Sequence, residues 1–252
     1  MTRRPFTLSA LVCTVLACSA PAMAQTPRLT APPEPTIWTV TVGAGLALTS
    51  GNTDTSTVNA SYEVAYTPQT RHVVKSNGLA IQGKTEDELT ADRLGLNVRH
   101  EYSVYERAYV FGQNQFLRDR FKSIDYLVAP AGGIGYSVIE TPETKMGFDA
   151  GLGGVWEKNA GVSVEASGSV TLGETLARTL TATTSLTQSY SGLWKTTDFG
   201  DSLHVLSLGL SATMSTRTQL KIELLDTYKN EPPLVTVQHN DVAVLVAVVY
   251  KM

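Results

Sequence analysis

The sequence predicts an all-β fold, an antiparallel transmembrane β-barrel of about twelve strands, with roughly ten to fourteen as the range. Three observations carry that expectation. From Ile37 onward, segments with period-two alternation of apolar and polar residues follow one another, separated by short clusters of Gly, Pro, Asn, Asp, Ser and Thr, and no segment shows a helical period. The polar face of many segments is small or uncharged, as in Thr179, Thr181, Thr183, Ser185, Thr187 and Ser189, where a sheet face bathed in water would carry more Lys and Glu. Aromatic residues stand near segment ends, among them Trp38, Tyr66, Tyr102, Tyr136, Trp156, Trp194, Tyr228 and Tyr250. That is the placement of an interfacial girdle, where an amphipathic ring keeps one edge in lipid and one in water.

The N-terminus reads as an export signal over residues 1–24. Arg3 and Arg4 precede an apolar, uncharged run from Pro5 to Ala20, and Ala22-Met23-Ala24 supplies the small residues of a cleavage site, so cleavage is expected after Ala24. A run of about 16 residues is short for a spanning helix, which needs roughly 20. Both cysteines, Cys13 and Cys18, fall inside this segment, so the mature chain has no thiol for disulfide or thiolate chemistry. An alternative reading of Val15-Leu16-Ala17-Cys18 is a lipoprotein site with Cys18 lipidated. Losing Arg3 and Arg4 from the 20 basic residues leaves 18 against 23 acids, a formal charge of −5, which gives no electrostatic footprint for nucleic acid. Residues 25–36, with Pro27, Pro32, Pro33 and Pro35, read as a flexible periplasmic leader, and residues 37–252 as the barrel.

The alternation is plainest in the first segment, where Trp38, Val40, Val42, Ala44, Leu46 and Leu48 oppose Thr39, Thr41, Gly43, Gly45, Ala47 and Thr49. In an outer-membrane barrel the apolar face meets lipid and the polar face lines the lumen. Segments are expected at 37–49, 56–67, 71–83, 90–104, 107–118, 123–138, 145–157, 162–174, 177–193, 202–216, 218–229 and 239–251. Tight turns are expected at Thr67–Thr70, Tyr105–Arg107, Glu140–Thr144, Gly173–Leu176 and Ser215–Thr218. Longer polar loops are expected at Ser50–Thr55, Lys84–Thr90, Leu117–Ser123, Trp156–Ala160, Gly192–Ser202 and Asn230–Asn240. With a periplasmic N-terminus, the tight set faces the periplasm. His100 falls on a lipid face, Pro130 lies inside a strand, and residues 108–117 read with either face outward, the last two being what a β-bulge would produce.

Several motifs resemble the YdiY-like salt-induced outer-membrane proteins, a bacterial family of unknown function. They are Ser50-Gly51-Asn52-Thr53-Asp54-Thr55, Leu117-Arg118-Asp119-Arg120-Phe121, Gly132-Gly133-Ile134-Gly135-Tyr136, Asn230-Glu231-Pro232-Pro233 and Val248-Val249-Tyr250-Lys251-Met252, across residues 38–252. The resemblance implies location in the outer membrane and a barrel of unknown purpose, and it carries over no catalytic residue. The ending Tyr250–Met252 also resembles the signal read by the barrel-assembly machinery, with Met252 where Phe is usual. The partners implied are therefore outer-membrane lipid and that machinery, with small solutes or ions if the lumen conducts.

No catalytic, cofactor or metal site is expected. Gly161-Val162-Ser163-Val164-Glu165 lacks the final Gly of a nucleophile elbow, and His72, His100, His204 and His239 lie in separate segments. Gly151-Leu152-Gly153-Gly154 has no following lysine or helix start and reads as strand glycine. The Asn52-Thr53-Asp54 tip reads as a turn more readily than as a cation site. The remaining candidates are charges whose alternation points them inward: Glu63, Arg93, Arg99, Glu101, Asp149, Glu165, Lys221 and Glu223. Mixed signs there either pair across the lumen and stiffen the barrel or line a path for ions. The function expected is a non-enzymatic outer-membrane barrel, a narrow pore or an osmotically responsive envelope component. The alternatives are a barrel enzyme acting on lipid or glycan and a soluble periplasmic ligand-binding barrel.

Overall fold

The computed structural model describes residues 37–252 apart from 50–54, 69, 86–87 and 233–236. The export signal, the leader, the Cys18 alternative and the Asn52-Thr53-Asp54 tip all lie outside the described residues. Twelve strands form one closed antiparallel barrel in which every strand pairs with its neighbours in the chain and β1 closes on β12. They are β1 Trp38–Thr49, β2 Thr55–Tyr66, β3 His72–Thr85, β4 Glu88–Ser103, β5 Ala108–Asp119, β6 Ile124–Glu140, β7 Thr144–Asn159, β8 Glu165–Thr179, β9 Thr184–Lys195, β10 Ser202–Thr213, β11 Thr218–Lys229 and β12 Asn240–Lys251. A single 3₁₀ turn, Arg120–Lys122, links β5 to β6. Closure removes the free edges that an open sheet of this size would expose to aggregation. The closing seam is short, running from Thr41↔Lys251 to Ala44↔Val248, with one more hydrogen bond from the Met252 N–H to the Val40 carbonyl at 2.9 Å.

Both ends of the barrel sequence, at Trp38 and Lys251, lie at the end where the tight turns gather, here the turn end. Three of those turns share one device, a hydroxyl that accepts the N–H three residues on: Thr141 from Thr144 at 2.9 Å, Thr181 from Thr184 at 3.0 Å and Ser215 from Thr218 at 3.1 Å. That local bond satisfies a backbone donor without a second strand, which is why Ser and Thr suit such turns.

The expected turn at Gly173–Leu176 is corrected, because β8 continues to Thr179 and the chain reverses at 180–183. Gly173 is a close-approach glycine instead: a Cβ there would meet Asp149 Oδ1 at 2.5 Å. At the other end, the loop end, strands run further than the sequence suggested. β7 extends to Asn159, β9 to Lys195 and β5 to Asp119, so residues expected in loops are the last residues of strands. In β5, Phe111, Gln113 and Leu117 point inward. The register shift lies at Leu117/Asp119, well away from Pro130, which sits opposite Asn114 without a shift.

The outer wall is a continuous aliphatic band. Leu152 and Ile134 are 70% and 68% exposed, and Leu46, Val98, Leu172, Leu210, Ile222 and Val246 extend the band around the barrel. A patch of that extent is incompatible with water and matches a lipid-facing surface. His100 stands on this face, at the turn-end rim.

Candidate functional site

The interior divides into two halves of different chemistry. Toward the turn end the lumen carries charged and amide side chains, several of them well exposed, beside a few buried apolar ones such as Phe111 and Val249. Glu63 and Lys75 have side chains 65% and 51% exposed, although both point into the barrel. Arg99 anchors this chamber. Its guanidinium meets Glu101 at 2.8 Å on its own strand, Gln113 at 2.8 Å on β5 and Asp149 at 3.0 Å on β7, and it stacks 3.8 Å over the Phe111 ring. The planar fork spreads its donors to three acceptors on three strands and leaves a flat face for the ring, a combination that the compact point charge of an ammonium lacks. Opposite, Lys221 pairs with Glu223 at 2.9 Å and reaches Glu63 on β2 at 3.8 Å, while Ser207 donates to Glu223.

Toward the loop end the lumen is filled. Arg93 on β4 binds Asp119 at 3.4 Å and donates to Thr227 on β11, five strands away around a ring of twelve, so this side chain crosses the bore. Apolar residues fill the same half of the barrel from both walls. Leu117, Leu127, Val155, Leu193 and Leu203 form one buried cluster, and Ile81, Leu225 and Leu245 form another between β3, β11 and β12. All of these point inward, so the expected polar inner face is best kept around Arg99 and Lys221 and gives way to packed apolar residues in much of the loop-end half.

Above the apolar layers lies a buried charge network. Glu157, with no exposed side-chain surface, takes Lys229 at 2.8 Å on one oxygen and Lys195 at 2.8 Å on the other. Asp201 bridges the same two ammonium groups from the β9–β10 loop, at 3.1 Å to Lys229, and Glu165 adds a rim contact to Lys195 at 3.4 Å. Alternating signs in a ring let each desolvated charge meet two opposite ones, the arrangement that offsets a burial cost of several kcal/mol per ion. Lys122, also fully buried, closes the mouth. It donates to the carbonyls of Gln238 and His239 at 2.8 Å each and pairs with Asp241 at 3.1 Å. The β5–β6 and β11–β12 connections stand opposite each other across the ring, so Lys122 ties one side of the mouth to the other.

All eight candidate charges therefore make interior or rim contacts. Arg99, Glu101 and Asp149 come together, as do Glu63, Lys221 and Glu223, while Arg93 and Glu165 belong to the loop-end half. Sequence reasoning missed Lys122, Glu157, Lys195 and Asp201, because it assigned 117–123, 156–160 and 192–202 to loops, and it missed Lys229, the last residue of the expected segment 218–229, because the loop was expected to begin directly after it. The signal that could have found them is five charges within a few residues of strand ends, alternating in sign. The histidines are also closer than their sequence separation suggested: His72 Nδ1 lies 3.1 Å from His100 Nε2, and His204 lies 2.7 Å from the Tyr190 hydroxyl and 3.0 Å from that of Ser202. Among the described residues no group of three or more His, Cys, Asp or Glu is placed to hold a metal ion.

Comparison with solved structures shows a similar fold in the NanC porin, at 9% identity and a TM-score of 0.51, covering 84% of this chain and 98% of that one. Looser likenesses are to an outer membrane channel from Pseudomonas putida F1 (11% identity, TM-score 0.49, 88% and 100% covered) and to the translocator domain of the autotransporter NalP from Neisseria meningitidis (12%, 0.46, 86% and 89%). Among curated proteins, none matches the sequence. A family profile does, over residues 42–252, nearly the whole barrel, and the chain belongs to that family, DUF481, proteins of unknown function.

Proposed function

We propose that this chain is a non-enzymatic outer-membrane barrel that is closed at rest, with its loop end outward and its charged chamber open to the periplasm. The carrying observation is the bridged lumen: Arg93 joins β4 to β11, and Lys122 joins the two sides of the mouth. An ion would have to displace buried salt bridges and two apolar clusters to pass, and each broken buried pair costs several kcal/mol. The exposed aliphatic wall supports the membrane setting, and the alternating Val246, Val248 and Tyr250 of β12 fit a terminal signal for barrel assembly. The role is that of an envelope component whose passage opens only when its ion pairs are loosened. Liposomes carrying the wild-type protein are expected not to swell in an isosmotic sugar solution, and rapid swelling would refute a closed barrel.

A second reading, a barrel enzyme acting on lipid, is favoured by one observation. Ser202, His204 and Tyr190 form a hydroxyl–imidazole–hydroxyl chain on the outer face near the loop end. That chain has the order of a nucleophile, base and orienting group, but Ser202 is buried and the third member is a phenol where a carboxylate or amide would hold the imidazolium. Purified protein is expected to release no fatty acid from phosphatidylcholine mixed micelles. Turnover abolished by Ser202→Ala would establish the second reading in place of the first.

A further inference from the structure

We infer that His72 and His100 form a two-histidine site for a divalent transition-metal ion on the outer rim of the turn end. His72 opens β3 and His100 lies on β4. In the register Tyr102 faces His72 and Val74 faces His100, so the two imidazoles are diagonal neighbours on one face. Both residues are exposed. Their planes are 9° apart with ring centroids 5.3 Å apart, and His72 Nδ1 lies 3.1 Å from His100 Nε2. A centroid separation that exceeds the nitrogen separation by about two ring radii means that the rings meet edge to edge with these two nitrogens facing.

That spacing is the one a shared metal needs. Two imidazole nitrogens at about 2.0–2.1 Å from one ion, at angles between square and tetrahedral, stand roughly 2.9–3.4 Å apart. The backbone already sets the distance, and each ring has to turn by about 40° to aim its lone pair at a common point. Exposed side chains make such turns readily. In the ion-free pair one nitrogen donates its hydrogen to the other. Ligation needs both as lone pairs, so that hydrogen shifts to the far nitrogen of its own ring, and two neutral imidazoles bind without net loss of a proton. Because no third His, Cys, Asp or Glu joins them among the described residues, water fills the other positions. The ion is therefore borderline in softness and exchangeable, with copper above zinc in affinity. The site lies on the barrel exterior, and it stands whether or not the lumen is closed.

The test is zinc chloride titrated calorimetrically into untagged, signal-free protein refolded in detergent. One equivalent is expected to bind, and His72→Ala and His100→Ala are each expected to weaken binding by about tenfold or more. His239→Ala, on a separate strand connection, is expected to leave it unchanged, and heat-dependent gel mobility shows that every variant is folded. No heat of binding up to about 1 mM zinc, or binding that survives His72→Ala, would overturn the site.

Discussion

Glu157→Ala is expected to destabilise the barrel by about 3–5 kcal/mol, more than any other single truncation of an interior charge. Glu157 is fully buried, and each of its oxygens faces a different buried ammonium, Lys195 and Lys229. Removing it leaves two nearly buried cations to Asp201, at 2.5 and 3.1 Å, with only the longer rim contact of Lys195 to Glu165 at 3.4 Å beside it. The loss is mostly the penalty of orphaned charge and only partly the worth of the contact. Glu157→Gln keeps the shape and one acceptor and is expected to lose less. Urea titration of detergent-refolded protein, followed by heat-dependent gel mobility, measures both; a midpoint for Glu157→Ala equal to wild type would show that the network is not formed.

The second large effect is on permeation. Arg93→Ala combined with Lys122→Ala removes the long side chain that crosses the bore and the one that ties the mouth shut. Lys122 donates to the carbonyls of Gln238 and His239, the latter shared with the Lys229 N–H, and Arg93 reaches from β4 to Thr227 on β11. The double variant is expected to show discrete ion-conducting steps where wild type shows none. High salt is expected to act in the same direction on wild type, more weakly, because buried pairs are screened less than exposed ones.

How much of this was legible in the sequence depends on the element. The barrel and its strand number follow from alternation, which a twelve-stranded meander repeats at every segment, so errors at single strands do not disturb the whole. Gly173 misled because a glycine that opens room for a carboxylate and a glycine that turns the chain look alike until Asp149 is placed beside it. The loop-end network was hidden for a related reason: Lys195 or Glu157 at a strand end and a lysine or glutamate in a loop have the same neighbours in sequence, and only hairpin register puts them inside. β12 did carry a signal of the filled lumen. From Val242 to Val249 it is apolar on both faces, with Leu245 and Val249 buried inward and Val244 and Val246 exposed outward, a pattern that a water-filled channel would not need. The His72–His100 pair, 28 residues apart, becomes visible only when β3 and β4 are laid side by side.

The most direct measurement is single-channel recording of wild-type protein beside the Arg93→Ala, Lys122→Ala double variant in planar bilayers, with folded state checked by heat-dependent mobility. A silent wild type and a conducting variant are the predicted result. Regular porin-like steps from the wild type, unchanged in the variant, would contradict the closed barrel.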